Sequence, residues 1–444
     1  MLTQIFNTNI LLPLSDLLQG SSIYKKLRFL QRSQWWSADE LEHFQNERLS
    51  SIINYSYYNF PFYKQLFMNA GISPDDIKGI SDLKKVPIIN KSGIREIIKE
   101  IKPSKNKQIP NWSSGSTGSP LKYYYNQEAY SLRMASGIRA WNWMGFQLGD
   151  KYVKLSQNPR NSHIKKVQDF LNRSKYIYVK ELSEKSLTDA YNSIVSYKPE
   201  YLRSYPDPLK LMVKFLMEQG VEGIKLKGIN TTGNILFQKD RENIESFFQC
   251  KIYDSYSCEG TGSLSQCEYG NYHFTSEYSV NEVVGEDSQQ VKDGETGRLI
   301  VTDLWNTTTP FIRYDTQDLV VNSEIECSCG RNHKVISRIE GRDSDVLITP
   351  DNRFIIVHSA TIFFEKYEEV LQFQIQQKTK ADFILFLVVT PNYNQSMHQE
   401  IFDYWANYLG ETSKLELVIT DEIELSSSGK RRFLIRNPEL KINF

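Results

Sequence analysis

The chain has 444 residues, 40% of them hydrophobic and 24% charged, so it is long enough to bury a large core and to form more than one domain. Its 53 Lys and Arg balance its 53 Asp and Glu, which removes any electrostatic argument for a polyanionic partner such as nucleic acid. Five cysteines in a chain of this size do not suggest a disulfide framework. We expect a small-molecule or protein partner.

The N-terminal segment IFNTNILLPLSDLL is apolar but is too short to cross a bilayer, and it lacks the basic start and cleavage site of a signal peptide. With no transmembrane segment expected, we predict a cytoplasmic protein. A second interpretation places residues 5–19 on a membrane surface. Apolar residues at helical spacing then predict helices, broken by a loop, over residues 36–101.

From residue 121 to 255 the pattern alternates between strand-like and helix-like segments, which predicts an α/β fold with a parallel sheet. The predicted strands are YVKLS, YIYVKEL, YLRSY, GINTTG and CKIYDSY, and the predicted helices between them cover residues 186–197, 207–220 and 239–248. Short β segments follow residue 270 and form a β-rich region. From about residue 345 a small α+β unit is predicted, with strands FILFLVVTP and LELVITDEI around an amphipathic helix over 397–410.

The stretch SSGSTGSP, residues 113–120, has two interpretations. A short Ser/Gly run is typical of a flexible linker. A glycine-rich turn also lets backbone N–H groups and hydroxyls approach phosphate oxygens. The stretch is not a Walker A loop, because no Gly-Lys-Ser/Thr stands at the required spacing.

Four further motifs follow in order: YDSYSCEG at 253–260, RYDTQDL at 313–319, RIEGRDSD at 338–345 and SSSGK at 426–430. With SSGSTGSP they resemble the core motifs of the adenylate-forming superfamily over nearly the whole chain. The closest likeness is to the phenylacetate-CoA ligase family, in particular its relatives from capsular polysaccharide clusters. That resemblance implies a large ATP- and acyl-binding domain over residues 1–342 and a small mobile domain over 343–444.

The resemblance also implies a reaction and its residues. A carboxylic acid attacks the α-phosphate of ATP to give an acyl-adenylate, and phosphoryl chemistry of this kind needs charge neutralisation and alignment. Lys430 would stabilise the charge that builds up, and Glu259 would bind Mg²⁺. The nucleotide-binding set would be Ser113, Ser114, Gly115, Ser116, Thr117, Gly118, Gly233, Tyr256, Asp318 and Arg342, with Asp318 on the ribose and Gly233 against the adenine.

Three departures from the family pattern stand in this sequence. The segment before Glu259 is one residue short of the usual spacing. The usual acidic hinge residue is replaced by Ser344, and the segment after it lacks the Arg-Gly turn of the aryl-CoA ligases. The last two changes concern the CoA half-reaction more than the adenylation step, because the rotated small domain helps to build the thiol site in that superfamily.

Cysteines and histidine form a second constellation. Cys267 and His273 are separated by five intervening residues, and Cys327 and Cys329 form a Cys-x-Cys followed by glycine. Three thiolates and an imidazole are a tetrahedral zinc set, and some members of the family resembled carry zinc at this location. The alternative is that the cysteines are small buried core residues and that the histidine is buried with its ring nitrogens hydrogen-bonded. We predict a structural zinc site with no position left for a catalytic water.

Three functions remain open on the sequence. The first is an AMP-forming acid–CoA ligase, and the second transfers the same acyl-adenylate to an amine in surface polysaccharide assembly. The third is a non-catalytic nucleotide-binding scaffold, against which Lys430 and Asp318 argue. Trp141, Trp143, Met144 and Tyr205 are in regions that line the acyl pocket of relatives, with ordinary core packing as the alternative. Neither the acid nor the oligomeric state follows from the sequence.

Overall fold

A computed structural model gives the structure of the chain. It describes residues 2–101, 108–112, 121–156, 163–179, 184–233, 235–342, 346–351, 354–356, 360, 363–364, 366–367, 369–424, 432–437 and 439–440. Of the predicted site residues, Ser113 to Gly118 and Lys430 are outside these ranges, as is the hinge position Ser344.

Helices dominate the first hundred residues. They are α1 (Leu2–Phe6), α2 (Leu12–Gln19), α3 (Ile23–Ser33), α4 (Ala38–Asn59), α5 (Pro61–Asn69) and α6 (Lys91–Lys99). Helix α4 begins at a capping box, in which the backbone N–H of Ser37 donates to the Glu40 carboxylate at 2.8 Å and the Ser37 hydroxyl accepts from the Glu40 N–H. A π-helical turn, Asn7–Leu11, joins α1 to α2. No helix of the described residues is long and apolar enough to cross a membrane.

The remaining helices alternate with strands, as the sequence predicts for residues 121–255. They are α7 (Gln127–Trp143), α8 (His163–Leu171), α9 (Glu184–Tyr197), α10 (Pro206–Glu218), α11 (Gln238–Phe248) and α12 (Gln395–Leu409). The strands up to residue 256 are β1 (Ile109–Trp112), β2 (Lys122–Tyr125), β3 (Tyr152–Ser156), β4 (Ser174–Tyr178), β5 (Tyr201–Ser204), β6 (Gly228–Thr232) and β7 (Ile252–Tyr256).

Strands β3 to β7 are parallel, because each helix between them returns the chain to the same edge of the sheet. Helices α9 to α11 and the strand interiors bury one apolar cluster around Ile194, Leu202, Met212 and Phe248. The α/β class predicted from the sequence is therefore confirmed, and the carboxyl ends of these strands face one common edge.

The β-rich region does not form a separate layer. Its strands are β8 (Leu264–Gln266), β9 (Tyr272–His273), β10 (Ser279–Val284), β11 (Thr296–Asp303), β12 (Tyr314–Ser323) and β13 (Val335–Arg342). They extend the parallel strands into one 11-stranded sheet in the order β10-β11-β12-β13-β9-β8-β7-β6-β5-β3-β4. The sequence could not predict this continuity, since it depends on pairing between distant segments.

Residues 113–120, for which the sequence leaves a linker and a phosphate loop open, connect two paired strands. Antiparallel register brings Ile109 opposite Tyr125 and Trp112 opposite Lys122, so residues 113–120 connect the arms of a hairpin. The hairpin is anchored to the segment between β11 and β12, since Tyr124 N–H donates to the Thr309 hydroxyl at 3.1 Å. A linker between domains is therefore wrong for this stretch.

The C-terminal region builds its own small sheet. Strands β14 (Val346–Ile348) and β15 (Phe354–Ile356) pair with each other, and β16 (Val370–Gln377), β17 (Asp382–Val389), β18 (Lys414–Ile419) and β19 (Leu434–Arg436) form a four-stranded sheet in the order β18-β17-β16-β19. Helix α12 buries Ile401, Trp405 and Leu409 against this sheet. The predicted strand–helix–strand unit is confirmed.

Candidate functional site

A cavity of 360 Å³ opens at the carboxyl ends of the parallel strands. In open α/β sheets ligands bind at that edge, because the loops that leave the strands diverge there. Arg203 of β5, Asn230 and Thr232 of β6, and Ser255 and Tyr256 of β7 contribute to its lining. Helix α7 covers the cavity and contributes Arg133, Met134, Gly137, Ile138 and Trp141.

The two motif residues Tyr256 and Asp318 meet beside this cavity. They are 62 residues apart, and three strands separate β7 from β12 in the sheet, yet the Tyr256 hydroxyl donates a hydrogen bond to the Asp318 carboxylate. The sheet must curl back on itself for this contact to form. Burial, reinforced by the neighbouring Asp318 carboxylate, raises the pKa of Tyr256 well above its ordinary value. The hydroxyl therefore keeps its proton and remains a donor.

Arg342 joins this group through the backbone. In the antiparallel ladder between β12 and β13, Arg342 is the direct partner of Asp318. The structure therefore places the predicted ribose residue and the predicted phosphate-side residue opposite each other. The side chain of Arg342 is outside the description.

Gly233 follows β6 at the rim of the same edge. Its φ of 91° is in the left-handed region, where a side chain is strained. A Cβ built on it would also come within 2.6 Å of the Tyr205 ring. Both the turn and the close ring contact require glycine here, which gives a physical reason for the glycine predicted to stand against the adenine.

Glu259 lies in the turn after β7, one residue beyond Cys258, and is half-buried. The negative charges of Glu259 and Asp318 both raise the pKa of Cys258, after the larger effect of burial. The thiol therefore stays protonated and is no nucleophile. Glu259 carries a carboxylate, which is the donor type that Mg²⁺ takes, and its binding of this ion stays a prediction.

The sequence predicts Trp141, Trp143, Met144 and Tyr205 for the acyl pocket, and not all of them line the cavity. Trp141 does, and its ring lies against Phe146 and Tyr152 at centroid distances of 4.8 and 5.3 Å. Trp143 instead packs on the cysteine cluster, and Met144 lies in the core beside Phe146 and Tyr201. Helical geometry explains the difference, because residues two apart on α7 point in different directions.

Cys267, His273, Cys327 and Cys329 converge as predicted, with all four ligand atoms within 4.8 Å of one another. The Cys267 and Cys327 sulfurs are 3.6 Å apart, and the Cys329 sulfur is 3.4 Å from His273 Nε2. Tetrahedral zinc with ordinary bond lengths would hold two sulfurs about 3.8 Å apart and a sulfur and a nitrogen about 3.6 Å apart. The geometry therefore fits a tetrahedral metal site.

Cys267 and Cys327 each begin a tight turn. Gly270 N–H donates to the Cys267 carbonyl at 2.9 Å, and Gly330 N–H donates to the Cys327 carbonyl at 3.0 Å. Both glycines have positive φ, 86° and 75°, which lets the backbone fold around a shared centre. In addition, Asn271 Nδ2 donates to the Cys327 sulfur at 3.1 Å, as expected for a sulfur that carries negative charge.

Burial and local hydrogen bonds shift the pKa values of the candidate metal ligands. Burial raises the pKa of Cys267 to about 12 and lowers that of His273 to about 4. For Cys327, burial raises the pKa, but hydrogen bonds from the Cys329 backbone and from Asn271 outweigh it, so the net shift is downward. A neutral imidazole and one favoured thiolate suit metal binding.

The sequence did not predict the buried ion pair between Arg139 and Glu277. Arg139 of α7 donates to Glu277 at 2.8 Å, and both side chains are almost fully buried. The Ser33 hydroxyl also donates to Glu277 at 2.6 Å, so the N-terminal helices, α7 and the β-rich region meet at one carboxylate. A lone arginine on a helix and a lone glutamate in a loop carry no pattern that predicts this contact.

Comparisons with known proteins agree with this geometry. The family described as the CapK C-terminal domain matches residues 347–437. Protein CapK of Staphylococcus aureus is 23% identical over 454 residues, covering 98% of this chain and 100% of that protein. The phenylacetate-coenzyme A ligase of Thermus thermophilus is 25% identical over 347 residues, covering 70% of this chain and 72% of that protein.

Among solved structures, 2-hydroxyisobutyryl-CoA ligase in the postadenylation state matches with a TM-score of 0.72 at 17% identity, covering 92% of both chains. An anthranilate CoA ligase in complex with anthranoyl-AMP matches with a TM-score of 0.51 at 12% identity, covering 73% of this chain and 66% of that one. At these identities the likeness establishes the fold.

The fold is that of the adenylate-forming CoA ligases. The chain is homologous to CapK over its full length and to the phenylacetate-CoA ligases over most of its length. The resemblance stated from the sequence motifs is confirmed.

Proposed function

We propose that the chain activates a carboxylic acid with ATP, giving an acyl-adenylate and pyrophosphate, and then transfers the acyl group to CoA. The observation that carries the proposal is the contact between Tyr256 and Asp318 at the cavity beneath α7. A buried carboxylate fixed by a tyrosine can accept hydrogen bonds from the two ribose hydroxyls. The adjoining cavity supplies room for the acid.

The nucleotide would lie across the carboxyl edge of the sheet. Asp318 would accept from the ribose, Gly233 would lie against the adenine, and Arg342 would contact the ribose or phosphate side. The residues on either side of the hairpin loop are paired, so Ser113 to Gly118 would approach the phosphates from one fixed point. Positioning of this kind is what adenylation needs from the protein.

Two charged residues would act on the reacting groups. Lys430, from the small domain, would reach the acid and the α-phosphate and stabilise the negative charge that develops there. Glu259 would hold Mg²⁺, which supplies charge neutralisation at the phosphates when bound.

We propose a structural role for zinc at Cys267, His273, Cys327 and Cys329. The four protein ligands complete a tetrahedral set, so no position remains for a reacting water. The ligands come from the turn after β8, from β9 and from the segment between β12 and β13. A metal there would fix the β-rich region against α7, whose Trp143 packs on the cysteines.

An amine acceptor is the second candidate. The observation that favours it is coverage, since CapK matches 98% of the chain, whereas the phenylacetate-coenzyme A ligase matches 70%. The small domain helps to build the thiol site in CoA ligases, and its match here is to the CapK C-terminal domain. The acceptor would then be an amino sugar or an amino acid in surface polysaccharide assembly.

Pyrophosphate release across a panel of carboxylic acids tests the proposal, with CoA and candidate amines added in separate reactions. We expect acid-dependent release that CoA accelerates. Turnover with an amine in the absence of CoA would replace the first acceptor by the second. If no acid in the panel promoted ATP consumption, the chain would be a nucleotide-binding scaffold instead.

A further inference from the structure

Arg203 is a cationic side chain that no predicted role uses. It lies inside β5, a strand whose other residues are buried, and its side chain contributes to the lining of the cavity. Among the described residues no carboxylate forms an ion pair with it, and its guanidinium lies over the face of Trp141, 5.7 Å from the ring centroid.

Among the described residues, no carboxylate offsets the cost of burying the positive charge of Arg203. Arg203 is half-buried in the cavity. Burial lowers its pKa, and among the described residues the Tyr152 and Tyr205 hydroxyls raise it. A cation–π contact at the outer limit of distance contributes about 0.5–1 kcal/mol, which is less than the cost of withdrawing an unpaired charge from water. An arginine kept in a ligand cavity without a protein carboxylate is the usual arrangement for binding an oxyanion of the ligand.

Sheet register separates Arg203 from the nucleotide end of the cavity. Arg203 pairs with Asn230, whereas Thr232, two residues farther along β6, pairs with Ser255 of β7. With strands about 4.8 Å apart and a rise of about 3.3 Å per residue, the Arg203 and Ser255 Cα atoms are about 12 Å apart. The reacting carboxylate must lie at the Tyr256 end, so Arg203 stands at the other end of the acid.

We infer that the acid activated here carries a second oxyanion, bound by Arg203 at the end of the molecule remote from the reacting carboxylate. The inference rests on the proposed function for the identity of the first carboxylate. The aromatic rings of Trp141, Phe146 and Tyr152 also line the cavity and would pack against the apolar part of the acid. At 360 Å³ the cavity is at the small end of ligand pockets, so the acid is short.

Calorimetric binding of matched acids to the full chain, with AMP present, tests the inference without requiring turnover. The pairs are pentanoate with glutarate and hexanoate with adipate, and 4-phosphonobutyrate distinguishes a phosphoryl oxyanion from a carboxylate. We expect each dianion to bind more tightly than its monoanion. Arg203→Met should reduce that preference by about 10- to 100-fold, the usual effect of losing a hydrogen-bonded charge, and Arg203→Lys should retain part of it.

Lys225→Met is the matched control, because Lys225 is an exposed lysine away from the cavity, and it should keep the wild-type preference. Using the ratio of two affinities within each variant removes the effect of a partly unfolded sample. Equal binding of monoanions and dianions by the wild type, or an Arg203→Met variant with an unchanged ratio, overturns the inference. Tight dianion binding without ATP consumption would instead contradict the proposed function and leave the oxyanion site standing.

Discussion

The hydrogen bond between Tyr256 and Asp318 gives the sharpest test of the nucleotide site. Tyr256→Phe removes one hydroxyl and keeps the ring, so the packing at the end of β7 changes little. Asp318 is 5% exposed, and the substitution removes a donor that helps to orient it. A hydrogen bond to a charged group contributes about 1.5–3 kcal/mol, and its loss weakens the positioning of the carboxylate that is proposed to bind the ribose.

If about 1–2 kcal/mol of that energy is lost from ATP binding, the KM for ATP rises about 5- to 30-fold. The assay is acid-dependent exchange of pyrophosphate into ATP at varied ATP concentration. The matched control is Tyr272→Phe, which removes a hydroxyl that donates to the Asp254 carboxylate at 2.6 Å in the same sheet. That variant should lose comparable stability and keep the KM for ATP. Equal KM values in the wild type and Tyr256→Phe would refute the assignment of Asp318 to the ribose.

Three further predictions follow from the site and the core. Lys430→Ala should abolish adenylation without lowering the melting temperature. The control is Lys378→Ala, which changes an exposed lysine of the same C-terminal region and should retain activity. Near-normal pyrophosphate exchange by Lys430→Ala would disprove the role of Lys430. Metal analysis of purified protein should find close to one zinc per chain. The zinc should be lost in Cys327→Ser and kept in Cys250→Ser, since Cys250 is away from the cluster. Wild-type protein that contains no zinc when purified without chelators would disprove the zinc site. Burial raises the pKa of Asp303 to about 7, so the folded protein holds a proton that the unfolded chain releases near pH 4. The stability from this group is complete below about pH 4 and is lost by up to about 4 kcal/mol as pH rises through 7. Relative to Asp303→Asn, the melting temperature of the wild type should fall from pH 5 to pH 8, and parallel curves would contradict this.

Much of the fold was accessible from local pattern. Strand β3 coincides with the predicted YVKLS segment, and α9 to α11 begin and end within two residues of the predicted helices. Apolar periodicity carries this information because a helix or strand must bury one face whatever its neighbours are. The convergence of the three cysteines and His273 also followed from residue type, since their chemistry suggested a common centre before their distance was known.

Other features depended on packing that no local pattern records. Trp143 belongs to the cysteine cluster instead of the acyl cavity, because its direction on α7 is set by how that helix sits on the sheet. Arg203 is a single charged residue inside a buried strand, and that contrast was the one signal that could have singled it out. The Arg139–Glu277 pair joins residues 138 positions apart and gave no signal at all.

The sequence by itself determined the resemblance to the adenylate-forming ligases, the alternation that makes the parallel sheet, and the residue types proposed for nucleotide and metal binding. Only the tertiary structure decided that the β-rich strands continue the same sheet and that this sheet curls until Tyr256 touches Asp318. The physical reason is that local patterns fix which face of an element is buried, whereas strand order and curvature arise from pairing between segments far apart in the chain. The same distant pairing places Arg203 in the cavity, at the end that we propose to be remote from the nucleotide.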